Sequence, residues 1–252
     1  MISTQIRDGY AEVTLNAAPA NAFDENLLAA LDEAFEQFRA AGCTVVMFES
    51  GLPIFSAGAN LKVMANAVKT AAGVEKMLGM VRGMHAFFDR LEASPFIIVA
   101  KIRGAAVGGG CEFAPACDFR FGSDKASIGL PEVKLGLVPG AGGTQRLPRL
   151  IGEAAARRLI LTGQVLSAQA ALEHGILDGV FKDDDLDDAV RSRCETLVGL
   201  PAHSLVAAKR CILASRKGFE AGAAQELAET GKLFNDPVTH DLVDNFLQGA
   251  GG

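Results

Sequence analysis

The segment GAAVGGGCE, residues 104–112, decides the fold, because it joins a predicted buried strand to a predicted helix through three consecutive glycines. The strand, IIVAKI at 97–102, is apolar except for Lys101, and the apolar residues Phe113 and Ala114 follow Glu112. Glycines that open a helix present N–H groups at the positive end of the helix dipole. Their order departs from the G-x-G-x-x-G of dinucleotide-binding folds, and no acidic residue ends a following strand at the required distance. The segment therefore predicts a strand, a turn with amide donors, and a helix.

Strands and helices alternate on both sides of this segment. Apolar and β-branched residues predict further strands, at 4–16, 44–49 and near 119–122. Helical spacing predicts one helix that Asp24 caps and a second, methionine-rich helix that ends before Pro95. This order is typical of an α/β protein. Beyond Gly142 helix signals dominate and strand signals are scarce, which predicts a helical C-terminal region.

Composition and charge narrow the class of protein. Of the 252 residues 49% are hydrophobic, which is enough for a sizeable core. The net charge of −6 opposes sequence-independent nucleic-acid binding, which needs a basic surface. Five cysteines without CxxC or Cys/His spacing indicate neither a disulfide framework nor a metal site. No apolar run reaches the length of a membrane span, and no export signal is recognisable, so we expect a cytoplasmic protein without a membrane partner.

Two glutamates stand in apolar, glycine-rich surroundings. Glu112 ends the segment quoted above, and Glu132 lies in GLPEVKLGLVPGAGG at 129–143. Taken singly, each is more often a solvent-exposed residue, Glu112 beside a helix dipole and Glu132 beside Lys134. Because both flank glycine turns, a second interpretation is favoured, since paired carboxyl groups commonly divide acid and base roles. A buried carboxyl group of this kind would have a raised pKa.

A third segment, FSAGANLK at 55–62, is a loop of small residues after a predicted strand. Its amides could bind an oxygen atom, although the segment alone is typical of an ordinary surface loop. No Ser or Cys occupies a nucleophile-elbow pattern, and the four histidines, His85 among them, are scattered. The sequence therefore favours acid–base over covalent catalysis, and we expect the histidines to have surface or structural roles.

Together these segments resemble the crotonase family, the enoyl-CoA hydratase/isomerase superfamily. The matching blocks are FSAGANLK at 55–62, GAAVGGGCEFAPACD at 104–118, GLPEVKLGLVPGAGGTQRLPRLIG at 129–152 and LTGQVLSAQAALEHGILDGV at 161–180. The resemblance implies an α/β fold, a crotonase-like spiral of repeated β-β-α units with a C-terminal helical trimerisation region. We expect the spiral core with the active site at residues 1–199 and the helical region at 200–252.

The resemblance also implies roles for individual residues. The amides of Ala59 and Gly109 would form an oxyanion hole for the thioester carbonyl oxygen. Glu112 would position and deprotonate a water molecule, and Glu132 would deliver a proton to the α-carbon. The substrate-binding residues would be Ala57, Ala59, Asn60, Leu61, Lys62, Gly109, Pro131 and Gly140.

The expected function is that of an enoyl-CoA hydratase, because relatives that isomerise double bonds commonly lack the acid that matches Glu112. Isomerisation, ring hydration and thioester hydrolysis stay open as alternatives, since Asn60 stands where many relatives carry Asp. A non-catalytic RNA-binding role is disfavoured by the acidic charge. Coenzyme A would enter as part of the acyl-CoA substrate, with no permanently bound cofactor and no metal. We expect a homotrimer or a dimer of trimers, without a nucleic-acid partner.

Overall fold

The computed structural model describes residues 1–58 and 61–249, and the chain divides into two compact units, Met1–Val198 and Gly199–Gly252. Every strand of the described residues belongs to the first unit. In chain order the strands are β1 (Ile2–Ile6), β2 (Tyr10–Leu15), β3 (Val45–Ser50), β4 (Ile97–Ile102), β5 (Ala105–Val107), β6 (Phe119–Ser123), β7 (Ser127–Gly129), β8 (Val165–Ser167) and β9 (Gly179–Phe181).

Six of these strands form one sheet in the order β1-β2-β3-β4-β6-β9, and three form a second sheet in the order β5-β7-β8. In the large sheet β1 and β2 are antiparallel, while all the other neighbours are parallel. All six residues of the central strand β4 are buried. Five of its six residues are apolar, as expected of a parallel strand covered on both faces, and the buried exception, Lys101, pairs with Asp187 at 2.7 Å.

The helices of the first unit are α1 (Glu25–Ala40), α2 (Leu61–Ala67), α3 (Ala71–Glu92), α4 (Gly109–Phe113), α5 (Gly143–Ile151), α6 (Glu153–Thr162), α7 (Ala168–Glu173) and α8 (Leu186–Val198). The side chain of Asp24 accepts a hydrogen bond of 2.9 Å from the Leu27 amide, which confirms the predicted cap of α1.

A β-β-α unit recurs along the first unit of the chain. Strand β4 is followed by β5 and α4, and β6 is followed by β7 and then by α5. After β3, Ser56 forms a parallel bridge to Ala106 of β5 before α2 begins. Each repeat therefore contributes one strand to the large sheet and one short pairing to the second. The predicted α/β class and repeated β-β-α units are confirmed.

Strand signals were expected to be scarce beyond Gly142, and the described residues there contain two short strands, β8 and β9. Strand β9 closes one edge of the large sheet by pairing with β6, and β8 pairs with β7. Each is only three residues long. Three residues are too few to show a two-residue period, so these strands are defined by their partners rather than by their own sequences.

A cluster of phenylalanine rings anchors α4 in the core. The ring centroid of Phe113 lies 5.1 Å from that of Phe48, 5.2 Å from that of Phe23 and 5.7 Å from that of Phe88. All four rings are at most 1% exposed. Aromatic contacts of this kind stabilise the folded state by more than the burial of their apolar area alone. The residue directly before Phe113, Glu112, is thereby held in a fixed orientation.

The second unit consists of α9 (Ala202–Ala214), α10 (Phe219–Phe234) and α11 (Pro237–Gly249). Large apolar side chains of this unit are exposed, at Ile212, Phe219, Leu227, Phe234, Val238, Leu242, Val243, Phe246 and Leu247. Among the described residues no single helix is both long enough and apolar enough to cross a membrane. Only the consecutive helical segments Leu186–Val198 and Ala202–Lys217, taken as one span, have the required length and composition, and they are bent by 99° at the break between them.

Candidate active site

The glycine turn before α4 packs directly against the loop that contains Gly58. A Cβ atom on Gly58 would lie 2.2 Å from the backbone nitrogen of Gly109, and one on Gly109 would lie 2.8 Å from Gly58 Cα. Gly58 also has a φ of +76°, a conformation that favours glycine. The Val107 amide donates a 2.9 Å hydrogen bond to Ser56 O, which holds the two segments side by side. Glycine is therefore required at both positions of this contact.

Gly109 is the first residue of α4, so its N–H group has no acceptor within the helix. It also lines the pocket described below. This is the geometry expected of one donor of an oxyanion hole. The other predicted donor, Ala59, lies outside the described residues, as does Asn60. Lys62 belongs to α2, and its side chain is likewise outside the described part of the chain.

Glu112 is only 3% exposed, so the solvent-exposed position expected of a single glutamate at a helix start is wrong. Its Oε1 atom accepts hydrogen bonds from the Ala141 amide at 2.7 Å and the Gly143 amide at 2.9 Å. Burial raises the pKa of Glu112, while these two amides and the charge of Arg146 act in the opposite direction. The carboxyl group is thus buried in a setting that still stabilises its anion.

Glu132 begins a 3-10 helix, Glu132–Leu135, and is half-buried. Its Oε2 atom is inaccessible to solvent and receives no hydrogen bond from any described residue. Burial raises the pKa of Glu132 to about 7, and the charge of Glu112 acts in the same direction. Glu132 Oε1 faces the glycine turn, because a Cβ atom on Gly108 would lie 3.3 Å from it. The two glutamates therefore differ in how well their anions are stabilised.

One apolar pocket of about 350 Å³ joins these groups. Both glutamates line it, together with five of the predicted substrate-binding residues, Ala57, Leu61, Gly109, Pro131 and Gly140. The remainder of its wall is largely apolar and includes Met64, Val68, Val74, Met77, Leu78, Met80, Val81, Met84, Val107, Leu135, Leu137 and Val138. A mostly apolar pocket with a few converging polar groups is the usual form of a small-molecule site.

A wider groove of about 660 Å³ lies between α1 and the end of α3. Two of its carboxyl groups are engaged in exposed ion pairs: Arg90 donates two hydrogen bonds of 2.8 Å to Asp32, and Arg39 pairs with Glu36. These charges are exposed to solvent, whereas the smaller pocket is lined by the buried carboxyl group of Glu112. The smaller pocket is therefore the site at which acid–base chemistry can occur.

Two residues near the site were not identified from the sequence. His85 Nε2 lies 2.6 Å from Gly140 O, and Arg146 Nη1 donates a 3.2 Å hydrogen bond to Ala141 O. His85 is 55 positions from its partner, so no local pattern connects them. Arg146 lies within the block GLPEVKLGLVPGAGGTQRLPRLIG, but its side-chain contacts depend on where α3 packs.

A sequence model of the family described as "Enoyl-CoA hydratase/isomerase" matches residues 5–248. The chain belongs to the enoyl-CoA hydratase/isomerase family. This confirms the resemblance to the crotonase superfamily.

Relatives within the enoyl-CoA hydratase/isomerase family differ in length. Over 186 residues the chain is 40% identical to "Fatty acid oxidation complex subunit alpha" of Psychrobacter sp. (strain PRwf-1), covering 72% of the chain and 26% of that protein. The chain therefore spans about a quarter of that relative. It is 36% identical over 184 residues to "Probable enoyl-CoA hydratase" of Bacillus subtilis (strain 168), covering 73% of the chain and 70% of the relative.

The family fold is also matched by solved structures. The crystal structure of an enoyl-CoA hydratase from Bacillus anthracis superposes with a TM-score of 0.90 at 30% identity, covering 98% of this chain and 96% of that one. The same enoyl-CoA hydratase fold is therefore present over nearly the whole chain.

Proposed function

We propose that the protein is an enoyl-CoA hydratase, which adds water reversibly across the 2,3 double bond of an enoyl-CoA thioester. One observation carries this proposal: two carboxyl groups with raised pKa values line a single apolar pocket beside the first amide of α4. Water addition needs a base for the water molecule and an acid for the α-carbon. Two carboxyl groups in different environments supply both.

Glu112 is the proposed base. Two backbone amides hold Oε1 and stabilise the anion, and the Arg146 charge does so as well. With Oε1 held in this way, Oε2 is the atom that would position a water molecule and remove its proton. The burial that raises the pKa of Glu112 also makes the anion a stronger base.

Glu132 is the proposed acid. Because its Oε2 atom receives no hydrogen bond from the described residues and its pKa is about 7, a substantial fraction is protonated at neutral pH. A protonated carboxyl group can deliver its proton to the α-carbon as the enolate collapses. The reverse reaction uses the same two groups with their roles exchanged.

The amides of Gly109 and Ala59 are the proposed oxyanion hole. The thioester carbonyl oxygen gains negative charge as the enolate forms, and preorganised N–H donors stabilise that charge more than they stabilise the ground state. Each donor of this kind contributes about 3 kcal/mol to lowering the barrier. The position of Gly109 at the start of α4, where its N–H group has no acceptor within the helix, supports its assignment as one of the two donors.

The substrate is proposed to be an aliphatic acyl-CoA. The coenzyme-A and thioester portion would contact Ala57, Ala59, Asn60, Leu61, Lys62, Gly109, Pro131 and Gly140. Four methionines line the pocket, Met64, Met77, Met80 and Met84. Methionine side chains adapt to ligands of different shape. We therefore propose an apolar acyl chain with some tolerance of length and shape, and no bound cofactor beyond the coenzyme A of the substrate.

Isomerisation is the second candidate, because the pKa of Glu132 is compatible with that reaction as well. A single carboxyl group that titrates near pH 7 can take a proton from one carbon and return it to another. Product mass separates the reactions, because hydration adds one water, isomerisation adds nothing, and hydrolysis releases the thiol.

A homotrimer or a dimer of trimers is proposed for the assembly. The support is the row of exposed apolar side chains on α10 and α11, which include Phe219, Phe234 and Phe246. Exposed apolar surface of this extent commonly marks a protein interface. Sedimentation equilibrium measures the assembly, and a monomer at micromolar concentration would contradict it. A cytoplasmic location and the absence of nucleic-acid and membrane partners stay predictions.

The direct test mixes the purified protein with crotonyl-CoA and with longer enoyl-CoA substrates. We expect the absorbance of the conjugated thioester to fall and the product to gain one water. Folded protein that leaves every chain length unchanged, or yields an isomer of unchanged mass, would contradict the hydratase assignment.

A further inference from the structure

The loop at residues 140–143 carries both amides that hold Glu112, so its conformation determines where the Glu112 carboxyl group points. Gly142 has a φ of +107°, and its carbonyl oxygen accepts 2.8 Å and 3.0 Å hydrogen bonds from the Arg146 and Gln145 amides at the start of α5. A Cβ atom on Gly143 would lie 3.1 Å from Glu112 Cγ. The loop is therefore packed closely against the glutamate.

His85 of α3 holds the opposite end of one of these peptide groups. Gly140 C=O and Ala141 N–H belong to the same planar, trans peptide group, so they point in opposite directions. His85 Nε2 lies 2.6 Å from that oxygen, while the N–H donates to Glu112 Oε1. Because a carbonyl oxygen only accepts, Nε2 carries the proton. Fixing the oxygen thus aims the N–H group at Glu112.

Arg146 holds the next peptide group of the loop and is itself held by α3. Its Nη1 atom donates to Ala141 O at 3.2 Å, its Nη2 atom donates to Asp89 at 2.5 Å, and its Nε atom lies 3.2 Å from Glu92 Oε2. The guanidinium carbon lies 5.8 Å from the centroid of the Phe88 ring. Arg146 is 5% exposed, so a permanent charge is buried close to the base.

We propose that His85 and Arg146 are positioning residues, which fix the 140–143 loop so that its two amides orient the Glu112 carboxyl group. Neither side chain needs to touch the substrate. The link to catalysis rests on the proposed hydratase reaction, whereas the contact itself is a property of the folded protein. The charge of Arg146 has a second effect, since it favours the anion of Glu112.

A buried arginine that only stabilises the fold would behave differently, and Arg120 provides the matched control. It is 4% exposed, and it donates to Cys117 O at 2.6 Å and Ile176 O at 2.8 Å and pairs with Asp178. It is therefore equally buried and bonded to the same kinds of group. Neither arginine lines the pocket, but only Arg146 donates a hydrogen bond to the 140–143 loop among the contacts of the described residues.

The experiment compares His85→Leu with His85→Gln, because a glutamine amide can replace the Nε2 donor. Amide hydrogen exchange at Ala141 and Gly143 is followed by NMR, together with kcat and KM for an enoyl-CoA. We expect His85→Leu to raise exchange at Ala141 by about fivefold or more and to lower kcat by about fivefold with little change in KM. His85→Gln should have an exchange rate at Ala141 and a kcat close to those of the wild type.

Arg146→Lys and Arg146→Met test the charge. Glu112 interacts electrostatically with Arg146, Glu132 and Cys111. Arg146 in turn pairs with Asp89 and Glu92, and His85 contacts the loop at Gly140 O. Loss of the cation in Arg146→Met should move the acid limb of the kcat/KM profile upward by about one pH unit, and Arg146→Lys by less. If Arg146→Met does not fold, Arg146→Lys still tests the role of the charge, and His85→Leu and His85→Gln still test the positioning of the loop. Arg120→Met should leave both exchange and pH profile as in the wild type.

These results separate failure of this proposal from failure of the proposed function. Unchanged exchange at Ala141 and Gly143 in His85→Leu, with an active wild type, would overturn the positioning role alone. An inactive wild type would overturn the hydratase assignment, while exchange at these amides still tests the contact. An equal shift of the pH profile in Arg120→Met would show that general loosening is the cause.

Discussion

Glu132→Gln removes a carboxyl group whose ionised form is poorly stabilised, so it should stabilise the fold while it disables the enzyme. The pKa of Glu132 is raised from 4.5 to about 7, chiefly by burial. At 1.36 kcal/mol per unit this corresponds to roughly 3 kcal/mol, which partial solvent exposure reduces to about 2 kcal/mol. Because the folded-state pKa is the higher one, wild-type stability is lost as pH rises from 4.5 towards 7.

The assay is urea unfolding of wild type and Glu132→Gln at pH 5 and pH 8. We expect the variant to be about 2 kcal/mol more stable at pH 8, and more stable by less than half of that at pH 5, where the unfolded-state carboxyl group is already partly ionised. Turnover should fall by about 10²-fold or more, because an amide cannot deliver the proton. Glu195→Gln on the exposed face of α8 makes the same charge change and serves as the control. A stability difference that does not grow with pH would refute the reasoning.

Three further predictions concern the rest of the site. Glu112→Gln should lower kcat by about 10²-fold with the fold intact, since a glutamine oxygen can still accept from the 140–143 loop; circular dichroism checks the fold. Gly109→Ala should impair both folding and turnover, because its Cβ would lie 2.8 Å from Gly58 Cα. Gly231→Ala on α10 is the control and should be tolerated, since its Cβ would have no neighbour within 4 Å. The thermal melting temperature and the turnover number are measured for each variant. Met77→Phe should raise KM for long-chain enoyl-CoA substrates and spare crotonyl-CoA, and equal effects on both would contradict the proposed acyl pocket.

The parts of the fold that depend on local chemistry were predicted from the sequence. Asp24 caps α1 because its carboxyl group meets an amide three residues away. Strand β4 could be recognised because its apolar run is long enough to require burial on both faces. The three-residue strands β8 and β9 could not, because their pairing with β7 and β6 joins segments far apart in the chain.

The candidate site was predictable only where it depends on local sequence. Glycine turns beside Glu112 and Glu132 marked the two carboxyl groups, but their burial depends on packing of the whole first unit. The contact from His85 to Gly140 joins α3 to a loop 55 residues away, and nothing in the local sequence of either indicates the other. Histidine on an amphipathic helix is ordinarily a surface or structural residue. The contact of His85 with Gly140 can be identified only from the packing of α3 against the 140–143 loop.

The most direct test of the central claim is the mass of the product formed from a trans-2-enoyl-CoA by the wild type and by the two single glutamine variants. The account predicts a product heavier by one water, formed quickly by the wild type and about 10²-fold or more slowly by Glu112→Gln and by Glu132→Gln. A product of unchanged mass, or near-normal hydration by either variant, would contradict the assignment of Glu112 and Glu132 as the base and acid of a hydratase.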